Sequence, residues 1–195
     1  MGKLIWHVSM SLDGFTTGPD DAMDWVLGRE AGSQSPMADE VMKSIGAMVA
    51  GRRWYDVATS RFSGVEGIYG GAWSGPVFVL THRPSEGKAH PAVTFVSTLE
   101  ESLSAARTAA KGRSVGLLGA NVAQQCLEAG LVDEILVHLV PVLLGDGVAL
   151  YGHRLRGIDL ERMAMAQSGQ NTDLRFSVLR GEKKGGRPGA GDGKR

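Results

Sequence analysis

The sequence predicts an α/β fold of three layers, with a mainly parallel central sheet and a C-terminal antiparallel hairpin, on three observations. Short β-branched runs alternate several times with helix-patterned stretches. Glycines or polar turns mark the junctions between them. After Gly145-Asp146-Gly147 the alternation gives way to two successive strand-like segments, Ile158 to Gln167 and Leu174 to Leu179, joined by the polar turn Ser168 to Asp173. Repeated strand-helix-strand units impose right-handed crossovers and parallel strands covered on both faces, and a terminal hairpin adds antiparallel strands.

Taken in order, Leu4, Trp6, Val8, Met10 and Leu12 alternate with Ile5, His7, Ser9 and Ser11, a period of two that reads as a first strand broken by Asp13-Gly14. Ser35-Pro36 supplies an N-cap and a proline at the first helical position, and Met37, Val41 and Ile45 continue a helical stripe to about Gly46. Ala47 to Ala50 is a buried strand, and Gly51-Arg52-Arg53 opens a helix through about Thr59. Ser60 to Gly75 is a glycine-rich loop. Pro76 to Thr81 and Val93 to Ser97 are short strands. Thr98 with Glu101 forms a capping box for a helix that Gly112 stops. Val115 to Leu118 is a strand, Ala120 to Ala129 a helix, and Glu134 to Leu144 a long apolar strand.

One domain is expected over residues 1–180, since a 195-residue chain with 43% hydrophobic and 22% charged residues can build a single core. From Gly181 onward glycine and basic residues dominate without any large apolar side chain, so a disordered tail is expected. Twenty-one acidic residues balance twenty-one basic ones. No overall field draws the protein to nucleic acid or an anionic membrane, and neither is expected as a partner. The lone Cys126 excludes an internal disulfide framework and a multi-cysteine zinc site, which fits a cytoplasmic protein without a metal. Met1 to Met10 lacks the pattern of a signal peptide or a membrane span.

Ligands of open parallel sheets gather outside the carboxyl ends of the strands, where helix N-termini and loop amides converge. Three segments fall there. Gly51-Arg52-Arg53 sets two guanidinium groups at a helix start, suited to a dianionic phosphate; a surface ion network explains the same pair. Thr81-His82-Arg83 follows a buried strand, as a plain polar turn also does. Gly119-Ala120-Asn121 lets backbone approach a pyrophosphate, although close packing of helix on sheet accounts for it equally.

Together with Ser11-Leu12-Asp13-Gly14, the blocks GRRWYD (51–56), LTHRP (80–84), LGANVAQQ from Leu118 and LVDEILVHLVPVLLGDG (131–147) resemble the dihydrofolate-reductase-like superfamily, in its riboflavin-biosynthesis reductase branch. The resemblance implies a dihydrofolate-reductase-like fold and an NADPH-dependent reductase acting on a small-molecule substrate. It places Arg52, Thr81, His82 and Arg83 near the adenosine 2′-phosphate and Gly119, Ala120 and Asn121 near the pyrophosphate, with Gly51 and Arg53 also expected to bind the cofactor. It also implies a homodimer. Three departures are visible: Trp54 follows the arginines where the family has a small hydroxyl residue, Leu118-Gly119 stands for a pair of glycines, and Ser35-Pro36 stands where dihydrofolate reductases place an acidic residue near the helix start, with Asp39 one turn further along.

The accompanying proton could come from a carboxyl in an apolar cleft. Asp39 lies one turn into its helix, where it could face the cleft or simply favour the positive helix end. Asp24 adjoins Trp25, and Asp13 adjoins Gly14 in a turn that could also touch substrate. Three functions follow: reductase of a planar heterocycle or related C=N or C=O compound; 5-amino-6-(5-phosphoribosylamino)uracil reductase; or a non-catalytic nucleotide-binding protein.

Overall fold

The computed structural model describes residues 2–27, 35–83, 90–152 and 157–180. The expected disordered tail lies outside these residues. An eight-stranded sheet in the order β5-β4-β3-β6-β1-β7-β10-β9 forms the middle layer. Its strands are β1 (Leu4–Ser11), β3 (Ile45–Gly51), β4 (Val77–Leu80), β5 (Val93–Val96), β6 (Ser114–Leu118), β7 (Glu134–Val140), β9 (Leu160–Ser168) and β10 (Asn171–Val178). All pairs from β5 to β7 are parallel, and β10 runs antiparallel to both β7 and β9. This is the parallel sheet with a terminal hairpin that the sequence predicts. A two-stranded ribbon of β2 (Phe15–Thr17) and β8 (Val148–Ala149) lies beside it.

Each face of the sheet carries its own core because side chains alternate along a strand. Leu4 and Trp6 of β1 pack with Leu103 and Ala106 of α4 (Leu99–Ala110) and with Val122 and Cys126 of α5 (Ala120–Glu128). Ile5, Met48 and Leu136 face the other way, toward Val41 of α2 (Pro36–Ser44) and Trp73. Trp54 and Tyr55 of α3 (Arg52–Arg61) pack against that second core. Each such fully buried side chain stabilises the fold by roughly 1.5–3 kcal/mol. Helix starts follow the sequence: Ser35 Oγ accepts from Ala38 N, and Thr98 Oγ1 from Glu101 N.

The structure corrects three boundaries. The apolar run after Glu134 leaves the sheet at Val140, and Val142 and Leu144 instead join Val140 in a small cluster around Trp25 and Val26 near α1 (Asp24–Leu27). Leu12 likewise lies beyond β1 and is 62% exposed. The hairpin turn is much tighter than its polar sequence suggests, because Ser168, Asn171 and Asp173 are all buried inside β9 and β10. The 60–75 loop contains a 3-10 segment, Gly64–Gly71, and is anchored where Trp73 Nε1 donates to Ile45 O at 3.1 Å.

Glu134, 2% exposed at the start of β7, is held by Lys3 Nζ and by Arg175, whose Nε donates at 2.9 Å. Burial alone would raise its pKa, but these two cations hold it below the usual range. Arg175 Nη1 also reaches Glu40 Oε1 of α2 at 2.8 Å. Removing one member of a buried ion pair strands the other. Glu134→Ala is therefore expected to destabilise the protein by about 3 kcal/mol, read as a lower urea midpoint with an unchanged slope.

Candidate active site

The three sequence segments lie side by side. β4, β3 and β6 are neighbours, with Gly51 in register with Leu80 and Ala50 with Leu118, so the turns after β4, β3 and β6 leave one edge of the sheet together. Gly51 caps α3 and Gly119 caps α5, in each case without a side-chain cap bond. The first-turn amides of both helices are thus left for water or an anion, and the helix dipoles favour negative charge there. Gly119 has φ +93°, and a Cβ at that position would meet Trp54 Cβ at 3.1 Å. Trp54, which departs from the family pattern, therefore packs closely against Gly119.

Arg52 is the cation best placed at this edge. Its Nε donates to Asp56 Oδ1 at 2.7 Å and its guanidinium lies 5.8 Å from the Phe95 ring centroid, while its Nη1 is buried with no hydrogen-bond partner among the described residues. Arg53 is exposed and turned to Asp21, at 2.8 Å. Thr81 Oγ1 closes a local turn with the Arg83 backbone, and His82 and Arg83 are exposed. Ala120 is buried; Asn121 is exposed, with Oδ1 accepting from Gln125 Nε2 at 2.7 Å.

The three carboxyls named from sequence lie on three different parts of the fold. Asp39 and Asp24 are exposed on α2 and α1. Asp13 accepts from Ser11 Oγ at 2.6 Å, Leu144 N at 3.0 Å and Gly145 N at 2.7 Å. The Ser11 hydroxyl and then the Gly145 amide hold its carboxyl below the ordinary range. It stays ionised, clasping the segment after β7 to the end of β1, which leaves it poorly suited to donate a proton.

What sequence reasoning missed is a continuous hydrogen-bonded chain across the α2 face of the sheet. Tyr69 Oη lies 2.6 Å from His7 Nδ1, His7 Nε2 lies 2.5 Å from His138 Nε2, and His138 Nδ1 lies 2.5 Å from Asp173 Oδ1. Asp173, fully buried, accepts two more bonds at Oδ2, from Ser35 Oγ at 2.5 Å and Ser168 Oγ at 2.6 Å. Burial raises the Asp173 carboxyl, but the hydrogen bonds from Ser168, Ser35 and His138 outweigh it and leave the pKa below the usual value. Burial first, and then the neighbouring His138, push His7 down to about 3, with Asp173 opposing. Burial pushes the Tyr69 hydroxyl above its usual range. Tyr69 also sits at φ +52°, a backbone strain that a non-glycine residue adopts only when its surroundings impose it.

A signal for two of these residues was present. His7 falls on the polar positions of a strand buried on both sides, and His138 interrupts the otherwise apolar run EILVHLV. Asp173 was hidden by a polar stretch that reads as a turn. Among the described residues, no group of three or more His, Cys, Asp or Glu side chains is arranged to hold a metal ion, and no helix is long and apolar enough to cross a membrane.

Comparison with known proteins agrees with this architecture. The chain is 22% identical over 178 residues to the uncharacterized protein YwjB of Bacillus subtilis (strain 168), covering 89% of this chain and 97% of that protein. Its fold is similar to that of a putative riboflavin biosynthesis protein from Shewanella sp. PV-4, with a TM-score of 0.72, 23% identity, and 91% of this chain and 99% of the other covered. A Thermotoga maritima diaminohydroxyphosphoribosylaminopyrimidine deaminase/5-amino-6-(5-phosphoribosylamino)uracil reductase is similar over 91% of this chain and 57% of its own, with a TM-score of 0.59 and 13% identity. The family model of the RibD C-terminal domain matches residues 72–172, a span that holds both the Thr81 and the Gly119 turns. With more than half of its length matched, and with the dihydrofolate-reductase-like sheet in place, the chain belongs to the RibD C-terminal domain family.

Proposed function

We propose that this chain is an NADPH-dependent reductase of a small planar heterocycle, pterin- or pyrimidine-like, or of a related C=N or C=O compound. The observation that carries the reading is the buried, unpartnered Nη1 of Arg52 beside two glycine-capped helix N-termini on adjacent strands. A buried guanidinium nitrogen without an acceptor is costly unless an anion completes it, so these residues fit a phosphorylated dinucleotide. Arg52, with Thr81, His82 and Arg83 in the adjoining turn, would hold the 2′-phosphate. Gly119, Ala120 and Asn121 would hold the pyrophosphate. When bound, NADPH supplies a hydride, and the protein's part is to position the acceptor, exclude water and provide a proton.

The narrower alternative, 5-amino-6-(5-phosphoribosylamino)uracil reductase, is favoured by the activity named for the Thermotoga maritima protein. Turnover of that pyrimidine would establish it, and inertness would remove it. A non-catalytic nucleotide-binding role predicts cofactor binding without turnover of any such substrate. The lone Cys126 is buried, its thiol pushed up to about 12, which is compatible with the proposed cytoplasmic location.

Charge-assisted hydrogen bonds contribute about 1.5–3 kcal/mol each. Arg52→Ala is accordingly expected to weaken NADPH binding about ten- to a hundredfold while leaving NADH binding nearly unchanged, as measured by calorimetry. No NADPH affinity in the unmodified protein would remove the reductase reading altogether.

A homodimer belongs to the same proposal. β9 is a nine-residue strand at the end of the sheet order, with one edge that no strand among the described residues covers, and Met163 and Met165 on it are 48% and 63% exposed. An uncovered strand edge is a standing liability, and a second copy of the same strand, paired antiparallel, would cover that edge and shield the methionines beside it. Sedimentation should give a dimer that Met165→Lys converts to monomer; a wild-type monomer at micromolar concentration would rule this out.

A further inference from the structure

The Tyr69-His7-His138-Asp173 chain has a closed end and an open one. Asp173 is 0% exposed and satisfied by three donors, and His138 is 8% exposed, whereas His7 and Tyr69 are only partly buried. Hydrogen-bond directions follow from the ends inward. The Asp173 carboxylate can only accept, so His138 carries a proton on Nδ1. With both rings neutral, His138 Nε2 accepts from His7 Nε2–H, and His7 Nδ1 accepts from Tyr69 O–H. Every donor then points toward Asp173.

One added proton reverses the chain. His138 becomes an imidazolium against Asp173, its Nε2–H donates to His7 Nε2, His7 carries its single proton on Nδ1 and donates to Tyr69 Oη, and the Tyr69 O–H is turned outward. The low pKa of His7 agrees with only one of two touching rings being charged.

We propose that these four residues form a proton relay whose outlet is Tyr69 Oη, and that Tyr69 delivers to the bound substrate the proton that accompanies hydride transfer. This rests on the reductase reading. In the step, the Tyr69 O–H bond breaks and a new N–H or O–H bond forms on the substrate. Tyr69 Oη takes the proton of His7 Nδ1, His7 Nε2 takes that of His138 Nε2, and His138 returns to neutral, still bonded to Asp173. Substrate is reduced by the hydride of a nicotinamide donor. Tyr69 is the catalytic residue, and His7, His138 and Asp173 act through it.

Other charges around the relay are largely accounted for. On the same sheet face Glu134 and Arg175 pair with Lys3 and Glu40. From α2, Asp39 and Lys43 are exposed; from the 3-10 segment, Glu66 is exposed and lies 3.5 Å from His90. Asp173 is thus the charge in direct contact with the imidazole pair.

The test uses the full-length protein and nitrogen NMR of its imidazoles across pH. As pH falls, His138 should become doubly protonated at the same pH at which His7 exchanges its proton from Nε2 to Nδ1 without becoming a cation. Asp173→Asn should move that transition to lower pH. A His7 that keeps one tautomer, or that titrates independently of His138, overturns the relay. With 5-amino-6-(5-phosphoribosylamino)uracil as probe, kcat should fall as pH rises through the same transition. Tyr69→Phe should lower kcat about a hundredfold or more while NADPH affinity by calorimetry stays unchanged. Turnover by Tyr69→Phe at the wild-type rate overturns Tyr69 as donor. Loss of NADPH binding in the wild type would sink the reductase reading alone, and inertness of the probe would leave the tautomer exchange to decide the relay.

Discussion

The buried carboxylate of Asp173 is the constraint around which the α2 side of the molecule is arranged. An unsatisfied carboxylate in that position would cost several kcal/mol, so its three donors must be in place when the chain is folded. They come from distant parts of the sequence: Ser35 at the cap of α2, Ser168 across the hairpin, and His138 on the adjacent strand. Ser35 Oγ both accepts from Ala38 N and donates to Asp173, so the residue that starts α2 also fixes where that start lies over the sheet. Glu40, one turn later, meets Arg175 on the same strand. The register of β10 is fixed in turn, because a slip of one residue would send both Asp173 and Arg175 to the opposite face.

The turns after β3 and β6 are built on the opposite rule. α2 begins with a capping hydroxyl, whereas α3 and α5 begin with glycines that offer no side chain to accept a first-turn N–H. Polar groups on the relay side are satisfied internally, and at the β3 and β6 ends amides and the Arg52 Nη1 are left over. Incomplete satisfaction at an exposed edge is a means of binding, since a ligand can complete it. With a net charge of zero, the protein has no long-range field to substitute for such local recognition.

The alternation of strands and helices was legible because apolar periodicity and caps are local signals, and Ser35-Pro36 and Thr98 with Glu101 start their helices where the sequence indicates. The juxtaposition of the Arg52, Thr81 and Gly119 turns was also legible, since parallel strands bring successive C-terminal turns to one edge. The relay was not. Its members are 131 residues apart between His7 and His138, and 35 between His138 and Asp173, so no local window contains them. Polarity misled in the hairpin: Ser168, Asn171 and Asp173 look like a solvated turn, yet all three are buried, and Asp173 accepts from both Ser168 and His138. Apolarity misled after Val140, where Val142 and Leu144 serve Trp25 and Val26 rather than the sheet.

Why two imidazoles separate Asp173 from Tyr69 follows from strand spacing. Asp173 lies on β10 and His7 on β1, with β7 between them, and neighbouring strands stand about 4.8 Å apart. One ring cannot bridge that span. His7 pairs in register with Leu136 and Ser9 with His138, so the two rings meet diagonally across β1 and β7, their centroids 4.7 Å apart. A carboxylate brought directly to the Tyr69 position would place a fixed negative charge there. Two rings in hydrogen-bonded series keep the permanent charge at Asp173, under its serines, and leave a hydroxyl at the Tyr69 end.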